Sequence, residues 1–410
     1  STVRASGDHR MLTDTDFPGG NALIEVLAED QIEVRPDLRD TIGSWFYWYF
    51  RVRECAGRRI RVRIVGETTP PIAARGPAVS LDEGRTWRWL GASSVRDGEF
   101  AFDVPHGCPE VRFSVGMPYT TADLERFLAR FEGQGGLERR QLTRSEGGRS
   151  VDLLRFGRTD GGAHARVLLT CRHHSCEMMA SHVLEGAMEH VLGSEDPAAR
   201  WLREHVEIAV VPFVDLDGVE DGDQGKNRAP HDHGRDYGPT EGIYASVRAI
   251  RDLLRDPTRP PFDAVLDLHC PNITARATDE RIYFVGSPDA ENWALVERLA
   301  DELQRGATGP LPYRSSNNLP FGTAWNVAKN YVSRDGRAVP QQSIGWFLDN
   351  QPGTGLHGIL EFPYATAEGV EVNASSARGF GVDLIRALGR YLRNRTASSR
   401  GTGPEPTREG

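Results

Sequence analysis

The stretch Val167–Glu177, VLLTCRHHSCE, narrows the fold more than any other. A short apolar run, Val167-Leu168-Leu169, gives way to two histidines and then Glu177. Behind it, Met178, Met179, Val183, Leu184, Ala187, Met188, Val191 and Leu192 recur at helix spacing. His174 and Glu177 therefore stand where a strand turns into a helix, and ligands of open α/β sheets collect at the carboxyl ends of strands. An imidazole and a carboxylate three residues apart at such a turn can both reach one divalent cation. Zinc is the expected ion, because a hydrolytic zinc site takes nitrogen and oxygen ligands and leaves one position for water. Alone, H-x-x-E recurs often by chance, so its partners elsewhere in the chain decide its meaning.

A chain of 410 residues suggests two domains, each large enough for its own core. Lysine and arginine number 49 against 58 acids, a net charge of −9, which argues against a general nucleic-acid binder. No run of about 18 apolar residues appears, so no membrane span is expected. The opening STVRASGDHR shows no basic-then-apolar signal segment. Cys55, Cys108, Cys171, Cys176 and Cys270 are few, odd in number and without paired spacing, which fits reduced thiols in a cytoplasmic protein.

Residues 1–16 read as polar and loose. From Phe17 to Pro118, short strands are punctuated by Gly, Pro and Asp every ten or so residues, the pattern of an antiparallel β-sandwich. Its most aromatic run, Trp45–Val52, reads as one strand buried on both faces. Over 119–395 strand and helix patterns alternate, predicting an α/β/α domain around a mixed, largely parallel sheet. Residues 396–410, TASSRGTGPEPTREG, read as a disordered tail.

His269 closes the apolar strand Ala264–Leu268 and offers the third ligand that a catalytic zinc needs. Glu361 lies inside Gly358-Ile359-Leu360-Glu361-Phe362, where an unpaired carboxylate would be costly to bury. Beside a metal-bound water it could serve as general base. Between these strands run Gly225-Lys226-Asn227-Arg228 and His231-Asp232-His233-Gly234-Arg235-Asp236-Tyr237. Arg228 could stabilise the oxyanion formed on a carbonyl, Arg235 has the planar fork that grips carboxylates, and Asp232 could hold a zinc histidine through its second nitrogen. Cys171, Cys176 and Cys270 flank the ligands and are read as packing residues.

The order H-x-x-E, an Asp-x-x-Arg segment after Asn-Arg, a strand-end Asp-Leu-His and a strand-borne glutamate resembles the zinc metallocarboxypeptidases of the carboxypeptidase A type. Phe17-Pro18-Gly19-Gly20-Asn21, Asp40-Thr41, the Trp45–Val52 run and Pro118-Tyr119-Thr120 are similar to the β-sandwich of the cytosolic carboxypeptidase subfamily. The resemblance implies one zinc bound by His174, Glu177 and His269. It implies Glu361 as the base that activates water and passes its proton to the leaving amine, with Arg228 polarising the carbonyl. Asp232 would orient His174, and Arg235 would hold the terminal carboxylate of a peptide.

One position departs. The family usually reads Asp-x-Asn-Arg, and this chain has Asp232-His233-Gly234-Arg235, so half of the carboxylate clamp is missing unless His233 compensates. Space at Gly234 would instead admit a bulkier or branched group. Tyr331 is the candidate for the mobile-loop tyrosine, and 311–351 for the specificity pocket. Arg314, Lys329, Arg334 and Arg337 within it suit either an acidic side chain or a solvated face. The leading expectation is thus a zinc peptidase releasing C-terminal amino acids. The alternatives are an amidase or deacylase acting on a small amide, and a non-catalytic binding protein.

Overall fold

The computed structural model describes residues 11–133, 135–273, 276–331 and 343–400. Two N-terminal sheets face each other. One contains Leu12–Asp14, Tyr49–Arg53, Glu110–Ser114, Ala78–Ser80 and Arg88–Trp89; the other contains Leu23–Ala28, Gln31–Arg35, Arg59–Ile64 and Glu99–Asp103. Ile60, Val62 and Ile64 turn inward while Arg59, Arg61 and Arg63 face out, the period-two alternation of a half-buried strand. Phe100 and Phe102 of one sheet meet Phe113 of the other with ring centroids 5.3 and 5.5 Å apart.

Three details depart from the sequence reading. Leu12–Asp14 forms an edge strand, where residues 1–16 read as loose, because Asp14 ties Arg51 and Arg53 of its neighbour at 2.8 and 2.7 Å. Gln31–Arg35 and Arg59–Ile64 pair in parallel, so the second sheet is mixed rather than antiparallel. Within the Trp45–Val52 run, the ladder starts only at Tyr49. Tyr47 is satisfied by a side chain instead: its N–H donates to Gln224 Oε1, and its carbonyl accepts from Gln224 Nε2, both at 2.8 Å.

The larger sheet has seven strands in the spatial order Leu137–Arg144, Ser150–Gly157, Val206–Val211, Ala165–Cys171, Ala264–His269, Leu356–Glu361 and Tyr283–Val285. The four from Val206–Val211 to Leu356–Glu361 pair in parallel, and the outer strands are antiparallel. Helices Met178–Gly193 and Ala290–Gly306 pack on Ala374–Arg400. The first pair approaches closely: a Cβ at Gly186 would fall 2.1 Å from the Arg378 carbonyl oxygen, and one at Gly381 would fall 2.0 Å from that of Val183. The last helix continues to Arg400, past the expected boundary at 395. Among the described residues no helix is long and apolar enough to cross a membrane.

The segment from Gly218 to Arg228 leaves the large sheet and lies on the N-terminal sheets. Asn21 Nδ2 donates to the Gly222 carbonyl at 2.8 Å, and Asp40 accepts from the backbone N–H of Gln224 and Gly225 at 3.0 and 2.9 Å. Replacing Gln224 by Ala strands two buried backbone groups of Tyr47. Urea unfolding should show a loss on the order of 2–4 kcal/mol. A change below about 0.5 kcal/mol, the size typical of a surface substitution, would contradict this bridging role.

Candidate metal centre and active site

Strand register brings the site together. His269 ends Ala264–His269 and pairs directly with Glu361 at the end of Leu356–Glu361. Cys171 ends the adjacent strand, and the chain then turns through His173 and His174 to Glu177, the residue before the helix Met178–Gly193. Four chemically useful side chains thus meet at one edge of the sheet.

One donor atom each from His174, Glu177 and His269 lies within 4.8 Å of the other two. Glu177 Oε1 is 3.0 Å from His174 Nδ1, and Oε2 is 2.9 Å from His269 Nδ1. Oε2 is fully buried yet makes no hydrogen bond, so it and the His269 nitrogen converge without satisfying each other. Two nitrogens, one carboxylate and an unsatisfied buried oxygen fit a zinc ion. Each imidazole is also backed by an acid on its far side. Asp267 Oδ2 lies 2.6 Å from His269 Nε2, and Asp232 Oδ1 lies 3.5 Å from His174 Nε2. Asp267 extends the support inward, since its Oδ1 is 2.8 Å from His173 Nδ1 and His173 Nε2 is 2.8 Å from the Tyr237 hydroxyl.

Charges set the protonation in this pocket. Burial alone would raise the Glu177 pKa, but Lys226, His174 and His269 hold it well below the usual carboxylate range. Burial opposes charge on His269 as well, and Asp267 and Glu177 overcome it and raise its pKa. Glu361 is the exception. Burial, reinforced by the Glu177 charge, pushes its carboxyl up to about 7, and its Oε2 is buried without a hydrogen-bond partner. A carboxyl so placed titrates near neutrality, the range suited to a general base.

Residues 135–243 match the family model described as zinc carboxypeptidase. That segment holds His174, Glu177 and Asp232, while His269 and Glu361 lie beyond it. It is 25% identical over 295 residues to an uncharacterized protein of Zymomonas mobilis, covering 70% of this chain and 73% of that one. To cytosolic carboxypeptidase 6 of Caenorhabditis elegans it is 25% identical, covering 64% of this chain and 63% of that protein. To mouse cytosolic carboxypeptidase 3 it is 26% identical, covering 56% of this chain and 26% of the other. The chain thus spans less than two thirds of these two named relatives. In fold it matches a metallo-carboxypeptidase from Burkholderia cenocepacia with a TM-score of 0.71 and 18% identity, over 94% of this chain and all of that one. A Pseudomonas aeruginosa metallo-carboxypeptidase, solved with (2-guanidinoethylmercapto)succinic acid, matches at 0.69 and 20% identity, over 93% and 100%. Both likenesses concern the fold.

The structure gathers His174, Glu177, His269, Glu361 and Asp232, and it gives the other expected residues different surroundings. Arg228 does not point into the centre. Its guanidinium is held by three carboxylates, those of Asp40, Asp215 and Asp223, at 3.3, 2.7 and 2.7 Å, which fix it in place and neutralise its charge. His233 is buried, stacked on Tyr244 with centroids 3.6 Å apart and 3.8 Å from Asp215, so it does not replace the missing asparagine. Gly234 opens no space either: a Cβ there would sit 3.1 Å from His174 Nε2 and 3.3 Å from Asp232 Oδ1. Arg235 ends the short turn His233–Arg235, half-buried and close enough to Asp232 to help lower its pKa. Tyr331 closes the turn Ala328–Tyr331, and its side chain falls outside the described residues, as do Arg334 and Arg337.

The sequence reading passed over two residues. Lys226 Nζ lies 2.8 Å from Glu177 Oε1 and donates to the Cys270 carbonyl at 3.1 Å. Asn227 separates it from Arg228: at φ 51° it turns the chain, and its N–H is fixed by Asp232 Oδ2 at 3.0 Å. Asparagine tolerates that left-handed conformation better than most side chains. Asp267 was visible as Asp-Leu-His, and i, i+2 positions on a strand share a face. All five cysteines are free and buried, and burial first of all pushes the Cys171 and Cys176 thiols up to about 12, which suits packing rather than ligation.

Replacing Asp267 by Ala should weaken zinc about 10–100-fold in chelator competition, the usual effect of losing the partner of a metal-bound histidine. Unchanged zinc affinity would contradict the backing role of Asp267.

Proposed function

We propose that this chain is a zinc-dependent carboxypeptidase that releases C-terminal amino acids from peptides or protein tails, with one zinc per chain held by His174, Glu177 and His269. The observation that carries this reading is the pairing of His269 with Glu361 across adjacent strands, which sets a near-neutral carboxyl beside the three converging donors. When bound, zinc supplies a Lewis acid and lowers the pKa of water.

The chain's own groups do the rest. Glu361 takes the proton from the attacking water and hands it to the departing amine, a transfer that its pKa near neutrality favours in both directions. Asp267 and Asp232 fix the two imidazoles so that Nδ1 of each faces the centre. Arg235, directly after Gly234 and three residues after Asp232, supplies a planar fork for the terminal carboxylate of the substrate. Tyr283 pairs with Glu361 across the edge strand, and its buried ring walls the base from that side.

The amidase reading rested on space at Gly234, and the His174 ring occupies that neighbourhood. Residues 17–118 act in this reading as a module supporting the catalytic part, 119–395. Acidic net charge disfavours a nucleic-acid partner, and the free thiols suit a reducing, cytoplasmic setting.

Mass spectrometry of a mixed peptide library incubated with the zinc-loaded protein should show stepwise loss of C-terminal residues, and C-terminal amidation should block it. Glu361→Gln should lower kcat by about 10²–10⁴-fold with zinc content unchanged. Hydrolysis of amidated peptides as fast as acids, or an active Glu361→Gln protein, would overturn the reading.

A further inference from the structure

We propose that Lys226 is the cation that stabilises the developing oxyanion on the scissile carbonyl, the task the sequence pattern assigns to Arg228. The inference rests on the carboxypeptidase reading and names the group within that site. Its geometric basis is the contrast between two neighbouring cations. Arg228 gives all three of its guanidinium nitrogens to Asp40, Asp215 and Asp223, behind the metal ligands. Lys226 brings its ammonium to the carboxylate of Glu177, next to both candidate histidines.

The ammonium is fixed from three directions. Glu177 Oε1 and the Cys270 carbonyl hold two of its protons at 2.8 and 3.1 Å, and the Trp45 ring lies under it with Nζ 5.0 Å from the centroid. Cys270 directly follows His269, so the lysine is tied to the backbone that carries one of the ligands. Trp45 comes from the N-terminal part, and Gly225, the preceding residue, is docked on Asp40 of the same part. An ammonium has three donors. Two are used here, and the third is left for a substrate oxygen.

The chemistry needs only a fixed positive charge. As the water oxygen bonds to the carbonyl carbon, the π pair moves onto the carbonyl oxygen and the water proton goes to Glu361. Lys226 keeps its proton throughout. On collapse the C–N bond breaks, and the proton on Glu361 leaves with the amine. A cation held in a water-poor site before reaction acts most strongly on charge that appears only in the transition state. A lysine presents a point charge, whereas an arginine would present a planar fork.

The test compares two probes on the zinc-loaded full chain by titration calorimetry. One is a phosphinic pseudodipeptide acid, whose tetrahedral oxygens imitate the oxyanion; the other is its ethylene isostere, in which CH2–CH2 replaces the scissile amide. Lys226→Met should lose about 10²–10³-fold in phosphinate affinity and in kcat, the usual effect of removing one oxyanion donor. Binding of the ethylene isostere and zinc stoichiometry should stay within about twofold of wild type, and Lys226→Arg should restore most of the phosphinate affinity. If Lys226→Met does not fold, Lys226→Gln takes its place in the same comparison. Equal loss for both probes, loss of zinc, or unchanged phosphinate affinity would overturn the assignment while leaving wild-type hydrolysis intact. A wild type that neither hydrolyses peptides nor binds the phosphinate would overturn the underlying reading along with it.

Discussion

The site depends on one buried carboxylate. Glu177 is about 1% exposed, and its two oxygens lie within 3.0 Å of His174, His269 and Lys226. A lone carboxylate at that depth would be costly, and neutralisation would be its cheapest response. Three cationic or metal-ready groups arranged about it keep it ionised instead, and that ionised state is what a metal requires of a ligand. The same negative charge helps raise the pKa of Glu361 across the centre. Ligand and base are thus set apart by environment: two glutamates in one pocket, one held charged and one poised near neutrality.

Holding this arrangement takes both parts of the chain. The strands Ala165–Cys171, Ala264–His269 and Leu356–Glu361 fix His269 and Glu361 by register, and the turn after Cys171 adds His174 and Glu177. Lys226 is placed differently. It sits on a loop fastened through its backbone to Asn21 and Asp40 and through the Gln224 side chain to Tyr47, and its charge rests over Trp45. The N-terminal sheets therefore do more than precede the site, since they position one of its cations. The tight contacts behind the ligands explain the unusual Gly234 as well: the backbone there runs close to His174, where a side chain would press on the ring.

Much of this was legible in the sequence, for physical reasons. The run Val167–Leu169, the helix periodicity after Glu177 and the strand-end His269 are strong local patterns, and buried parallel strands are apolar throughout. Edge strands were harder. Leu137–Arg144 carries Glu138, Arg139 and Arg140 and is mostly exposed, so its composition reads as loop even though it pairs with Ser150–Gly157 on both sides of a bulge at Leu142. Side chains that satisfy distant backbone, such as Gln224 at Tyr47, leave no periodic trace. Arg228 and Lys226 show the limit most clearly. Both are cations in one short motif, and only the left-handed turn at Asn227 together with the acids at 40, 215 and 223 decides which one reaches the centre.

The most direct test of the metal assignment is an anomalous difference map at the zinc absorption edge from crystals of the full chain grown with zinc. The expected result is one strong peak per chain, about 2.0–2.2 Å from His174 Nδ1, the Glu177 carboxylate and His269 Nδ1. Among the described residues, His173, Asp267 and His269 form a second group whose donor atoms also lie within 4.8 Å of one another. A peak there, or none at His174–Glu177–His269, would contradict the assignment.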